Sequence, residues 1–142
     1  MKYKAIELIQ KEFERRKYPY SLEEDGCSSD LLTKFTVKNG PSVSVRYTSM
    51  DNNNGVYIQL DRLVENVADD KIDKILRVIN KCHLRRRYAI YRLDEDRNVN
   101  VSFDFPPSIT DDSVGPAAWE IFYYMYEAVN ETYPMFMKVI RS

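Results

Sequence analysis

Leu31-Leu32-Thr33-Lys34-Phe35-Thr36-Val37-Lys38, the break Asn39-Gly40-Pro41, and then Ser42-Val43-Ser44-Val45-Arg46-Tyr47-Thr48 form the stretch on which the fold turns. Leu31, Thr33, Phe35 and Val37 alternate with Leu32, Lys34, Thr36 and Lys38. After the break, Val43, Val45 and Tyr47 resume the alternation against Ser44, Arg46 and Thr48. Successive strand side chains point to opposite faces, so a period of two gives a strand with one apolar and one wet side. A second turn, Asp51-Asn52-Asn53-Asn54-Gly55, leads into Val56, Ile58 and Leu60 against Tyr57, Gln59 and Asp61. Three alternating segments joined by short turns predict an antiparallel meander, because short connections keep sequence neighbours adjacent in space.

Upstream, Ile6, Ile9 and Phe13 share one face of a helix running from about Lys2 to Arg16, which Pro19 ends. Tyr18, Tyr20 and Leu22 then alternate as a short strand up to Asp25-Gly26. Downstream, Asp69 or Asp70 is placed to cap a helix whose buried stripe reads Ile72, Ile75, Leu76, Ile79 and Cys82. A hairpin follows, Tyr88 to Leu93 and Val99 to Phe105 around Asp94–Asn98, stopped by Pro106-Pro107. The last helix is expected from Pro116 to Ile140, with Gly115 and Pro116 at its cap and first turn and a kink or break at Pro134. The fold class is α+β: one domain over residues 1–142, an antiparallel meander of five to six strands with three helices, in the order α-β-β-β(-β)-α-β-β-α.

The last helix has more apolar circumference than a sheet-covering helix needs. Trp119, Phe122, Tyr126, Val129, Tyr133, Phe136 and Ile140 recur at three- and four-residue steps, with Ala118, Ile121, Met125 and Ala128 beside them and Tyr123 at the edge. Burying one such aromatic is worth ~2–3 kcal/mol, so a surplus left in water invites association. Trp119, Phe122, Tyr123, Tyr126, Val129, Tyr133 and Phe136 are therefore the candidates for a protein interface, and a second copy of the chain is the expected partner.

The totals narrow the rest. With 142 residues, 44% apolar content and net charge −1, the composition is that of an ordinary globule. Such a balance argues against a general nucleic-acid binder. No apolar run approaches the ~20 residues of a membrane span. The amino terminus opens into amphipathic sequence, so a cytoplasmic location with Cys27 and Cys82 reduced is expected.

The motifs then point to a family. Val78-Ile79-Asn80-Lys81, Tyr88-Ala89-Ile90-Tyr91-Arg92-Leu93-Asp94-Glu95-Asp96, Asn98-Val99-Asn100-Val101 and the late Ala128-Val129-Asn130-Glu131-Thr132-Tyr133-Pro134 resemble the YbjN domain proteins of bacteria. Their fold is that of type III secretion chaperones. Family members often carry Gly in the second hairpin turn, where this chain has Arg97. The resemblance implies a small, non-enzymatic cytoplasmic dimer that holds segments of other proteins, or a regulator of sensory transduction, with no catalytic residues and no cofactor.

Residue chemistry agrees with that modest expectation. Asp94, Asp96 and Asn98 open like a calcium loop, but Val99 and Phe105 stand where Gly and a bidentate carboxylate are needed. His83, the only histidine, follows Cys82, yet adjacent helix positions point about 100° apart. Two Cys and one His fall short of a zinc set. Arg85, Arg86 and Arg87 form a basic run, either an anion patch or a solvated connection paired with Asp94 or Asp104. The expected function is a protein-binding homodimer whose sheet face or apolar groove takes an unidentified protein or peptide. The alternative is a regulatory domain holding a small ligand between helix and sheet. An enzyme, a metal site, a nucleic-acid partner and a membrane partner are not expected.

Overall fold

In a computed structural model, which describes residues 3–142, the chain is an α+β fold with a six-stranded antiparallel sheet and three helices. The order is α1 (Lys4–Arg15), β1 (Ser21–Glu24), β2 (Ser29–Thr36), β3 (Ser42–Ser49), β4 (Val56–Val64), a 3-10 turn (Asp69–Lys71), α2 (Ile72–Arg85), β5 (Ile90–Leu93), β6 (Val99–Phe105) and α3 (Asp111–Ile140). The expected start of the first helix at Lys2 lies outside the described residues. The sheet runs β1-β2-β3-β4-β6-β5. The first four strands meander as expected. The α2 crossover then carries β5 to the far edge, and β6 returns between β5 and β4.

Register explains the two faces. Thr33, Val45, Leu60, Val101 and Tyr91 stand side by side across five strands, all turned inward. One residue along, Leu32, Arg46, Gln59, Ser102 and Ile90 form the matching row on the opposite side. The three helices cover the first face, where Ile6, Ile9, Phe13, Ile58, Val99 and Met125 have no exposed surface. The second face is open to solvent, a two-layer arrangement with one wet sheet surface. Beyond Leu60, β4 gains two residues relative to β6, and Arg62 takes a left-handed φ of 60°. The Asn100 side chain accepts the Arg62 N–H at 2.8 Å, and Asn98 accepts that of Asn66 at 3.1 Å, so the bulge keeps its amides bonded.

Several expectations about the helices, and one strand boundary, need correction. α3 begins at Asp111, five residues before Pro116, with Asp111 and Asp112 in its first turn, where carboxylates suit the helix dipole. Gly115 is therefore inside the helix and serves packing: a Cβ there would stand 3.0 Å from the Leu8 carbonyl oxygen and 3.1 Å from Glu12 Cβ, so α1 and α3 touch where one lacks a side chain. Pro134 does not break the helix, which continues to Ile140. Thr132 and Phe136 on either side are fully buried, and that packing outweighs one missing amide bond. In α2, Ile75, Val78, Ile79 and Cys82 make the buried stripe, whereas Leu76 is exposed and Ile72 only half-buried. Leu76 sits about 100° around the helix from Ile75 and so misses the core. Neither Asp69 nor Asp70 supplies a side-chain cap; Asp69 instead pairs with Arg97 across the hairpin turn. β5 starts at Ile90, leaving Tyr88 outside the strand.

Two buried phenols fasten α3 to the sheet. Tyr47 on β3 donates to the Ala118 carbonyl at 2.9 Å. Tyr91 on β5 meets the Thr132 hydroxyl at 2.9 Å, and Thr132 in turn donates to the Ala128 carbonyl at 2.9 Å. With its one proton on Ala128, Thr132 must accept from Tyr91. The turn at Asn52–Asn54 secures the other ends of the helices: Asn52 accepts the Lys4 N–H at 3.1 Å, and Asn54 donates to Asp111 at 2.6 Å and to the Ile109 carbonyl at 3.1 Å.

Candidate functional site

Aromatic side chains concentrate where the end of α1, the middle of α3 and β2 converge. Phe13 projects from α1, Tyr18 follows the turn at Lys17 (φ 56°), Phe35 rises from β2, and Trp119, Phe122 and Tyr126 descend from α3. Their rings pack edge to face: Phe13–Trp119 at 5.3 Å, Tyr18–Phe122 at 5.2 Å, Tyr18–Trp119 at 5.4 Å and Phe35–Tyr126 at 5.4 Å. Such contacts add ~0.5–1.5 kcal/mol each beyond area burial and hold the rings in fixed orientations. The Arg16 guanidinium lies 4.8 Å above the Trp119 ring while Glu12 grips it at 2.8 Å.

The interface candidates divide by burial. Val129 and Phe136 are enclosed in the chain's own core and offer a partner no surface, and Phe122 is buried but for an edge that reaches the groove below. Tyr133 is half-buried against the β2–β3 turn, where Gly40 makes room for it: a Cβ on Gly40 would come within 2.8 Å of the Tyr133 ring. Trp119 is half-buried among Phe13, Tyr18 and Phe122. Tyr123 and Tyr126 remain in solvent, 55% and 39% exposed, with ring centroids 6.2 Å apart. Below them lies a groove of about 180 Å³ lined by Tyr18, Phe35, Trp119, Phe122, Tyr123 and Tyr126.

Tyr18 and Phe35 had not been singled out for this site, since each reads in sequence as an ordinary strand residue. Only the pairing of α1 with β2 brings them to α3. Tyr18 also forms the wall between this groove and a second recess of about 370 Å³ lined by Pro19, Tyr20, Leu32 and Lys34. Its phenol donates to the Lys34 carbonyl at 2.7 Å, and burial, then the nearby Tyr126, push its pKa up.

The other candidates resolve differently. Arg86 makes a two-pronged bond to Glu131 on α3 at 2.6 and 3.1 Å, and Arg85 reaches the same carboxylate at 3.4 Å. The partner of the basic run is thus Glu131, not Asp94 or Asp104, because α2 packs on α3. Of Arg85, Arg86 and Arg87, Arg86 is further engaged 5.6 Å from the Tyr124 ring. The hydrogen bond from Arg86 keeps Glu131 below the usual carboxylate range. Cys82 is buried, and burial pushes its thiol pKa up to about 11, so it stays protonated at neutral pH. His83 accepts the Tyr91 N–H at Nε2, 3.0 Å away, which ties α2 to β5.

In the hairpin turn, Asp94 accepts from the Asn98 N–H at 2.9 Å and the Asn100 side chain at 2.8 Å, with Arg97 in the left-handed region (φ 65°) where Gly is the easy choice. Among the described residues no group of three or more His, Cys, Asp or Glu is placed to hold a metal ion, and no helix is long and apolar enough to cross a membrane. Between helices and sheet, where the alternative reading places a small ligand, core side chains pack together. A recess of about 410 Å³ lies instead on the open sheet face, lined by Tyr57, Gln59, Ile90, Arg92, Asn100 and Asp104 among others. No protein-family model, curated protein or solved structure matches the chain.

Proposed function

We propose that this chain is a non-catalytic protein-binding module, chaperone-like or regulatory in the manner its YbjN resemblance implies, and that it works as a homodimer joined along α3. The observation that carries the reading is the solvent-facing pair Tyr123 and Tyr126 at the mouth of an aromatic groove. Tyrosine suits such a surface, because a large rigid ring carries a polar tip that tolerates water until a partner arrives. A second copy is the occupant because two equivalent grooves can face each other across a two-fold axis, each receiving the other's rings.

Sedimentation velocity on the full chain tests this. The wild type is expected to populate a dimer in the micromolar range, and Tyr123→Glu to sediment as a monomer with its melting temperature nearly unchanged, since that side chain is 55% exposed. Trp119 is the sole tryptophan and borders the groove, so its emission should move to shorter wavelength as dimer forms. A wild type that stays monomeric at high micromolar concentration refutes the reading.

A small-ligand regulatory domain is the second reading. It draws support from the open-face recess, where Arg92 and Asp104 offer both signs of charge and Tyr57 and Ile90 offer apolar walls. A metabolite that raises the melting temperature of wild type but not of Arg92→Ala would favour it.

A further inference from the structure

Charge on this molecule is segregated. Residues 71–92 hold eight of the 21 Lys and Arg and only Asp73 of the 22 Asp and Glu, an excess of seven positive charges that the rest of the chain more than cancels. On α2 the excess is ordered: Arg77, Lys81 and Arg85 follow at four-residue steps, with Lys74 beside them, a basic row about 16 Å long. All four are exposed, and among the described residues no ion pair engages Lys74, Arg77 or Lys81. Next to that row, on the same solvent side of the helix, run Leu76, Asn80 and Leu84, with Asp73 at the amino-terminal end of their stripe.

Leu84 is 78% exposed and Tyr88, just past the helix, 72%, the highest values among the large apolar side chains described. Leu76 is exposed as well, so three of the eight exposed large hydrophobics described lie on or just past α2, while Ile90 belongs to the open sheet face. A nucleic acid would satisfy the cations but give two leucines nothing to enter. An anionic bilayer satisfies both, with phosphate and carboxylate headgroups for the basic row and acyl chains beneath for Leu84 and Tyr88.

We infer that the solvent face of α2 is a docking surface for an anionic membrane leaflet. Arg77, Lys81, Arg85 and Lys74 lie along the headgroups, and Leu84 and Tyr88 dip below them. The contact is peripheral and reversible, and weakens as salt screens the headgroups. It involves a face of the molecule different from the Tyr123–Tyr126 groove and holds for monomer and dimer alike.

Flotation of the full chain with phosphatidylcholine vesicles, with and without about a third phosphatidylserine, tests the inference. Binding is expected only to the anionic vesicles. Each cation lost should cost about fivefold, so Lys74→Glu/Arg77→Glu/Lys81→Glu should abolish it. Leu84→Ser should weaken binding severalfold while leaving its salt dependence intact. Lys34→Glu, on the open sheet face that the helices do not cover, should leave it unchanged, and all variants should keep the wild-type melting temperature. Absence of wild-type binding to anionic vesicles overturns the inference, as does equal loss from the Lys34 control. Binding to a DNA duplex that the α2 variants abolish, with vesicles ignored, would assign the face to nucleic acid and overturn it equally.

Discussion

The bond between Tyr91 and Thr132 has a direction, and that direction makes a quantitative prediction. Tyr91 donates to Thr132, which has already given its proton to Ala128, and all of this is buried. Tyr91→Phe removes a donor and leaves Thr132 still bonded to Ala128, so its cost is one net hydrogen bond, about 1 kcal/mol. Thr132→Val keeps the β-branched shape but strands the buried phenol, at about 2–3 kcal/mol. The double variant strands nothing and should cost about 1 kcal/mol, far less than the sum of the singles, a coupling of about 2–3 kcal/mol. Urea unfolding measures this if the m-value is unchanged. For a chain of this size Thr132→Val should lower the melting temperature by about 6–9 °C and Tyr91→Phe by about 3 °C. Two single costs that simply add to within ~0.5 kcal/mol, or a Tyr91→Phe variant worse than Thr132→Val, would refute the assigned direction.

Other outcomes follow from the same structure. Native protein should react with one equivalent of a thiol reagent at pH 8, at exposed Cys27, and with a second only on unfolding, because Cys82 is buried with its pKa near 11; rapid uptake of two equivalents contradicts this. Hydrogen bonds from Arg15 to Glu12, from Arg86 to Glu131 and from Lys4 to Asp111 hold these carboxyls below their ordinary values. The folded state therefore binds fewer protons than the unfolded one, and that stability is complete at neutral pH and is lost as pH falls below about 4. The urea midpoint should drop there, less so in Glu131→Gln; a midpoint that rises on acidification would contradict the sign. Arg97→Gly should stabilise by up to about 1 kcal/mol, since Gly takes φ 65° freely and the exposed pair with Asp69 is worth little; a lower melting temperature would show that pair to matter. Gly115→Leu should destabilise by about 3 kcal/mol or more by prising α1 from α3, and a neutral result would show that the two helices yield easily.

What was readable in the sequence was whatever repeats with a short period. The alternation from Leu31 to Leu60 identified β2, β3 and β4 and their pairing, because a one-residue error would turn every core side chain outward. What escaped reading depends on contacts between distant segments. The place of β6 between β4 and β5, the passage of α3 through Pro134 and the role of Gly115 are settled by packing that no local pattern records. The last helix illustrates both sides. Its surplus of aromatics was legible, but which rings remain in water was not, since Phe35 and Tyr18 come from elsewhere to cover Phe122, and Phe35 covers only part of Tyr126. A total can also mislead. The net charge of −1 conceals the cation-rich segment from Lys71 to Arg92, and the apolar stripe first assigned to α2 included Leu76, whose outward position is now part of a surface.

Tyr47 and Tyr91 hold α3 at points fourteen positions apart, about 21 Å along its axis. A rod clamped at two such stations can neither roll nor pivot. Tyr123 and Tyr126 lie between the clamps, so their bearing is decided from inside the molecule before anything arrives to meet them. The mate proposed for that surface would find its target already aimed, with little of the contact energy diverted into ordering it.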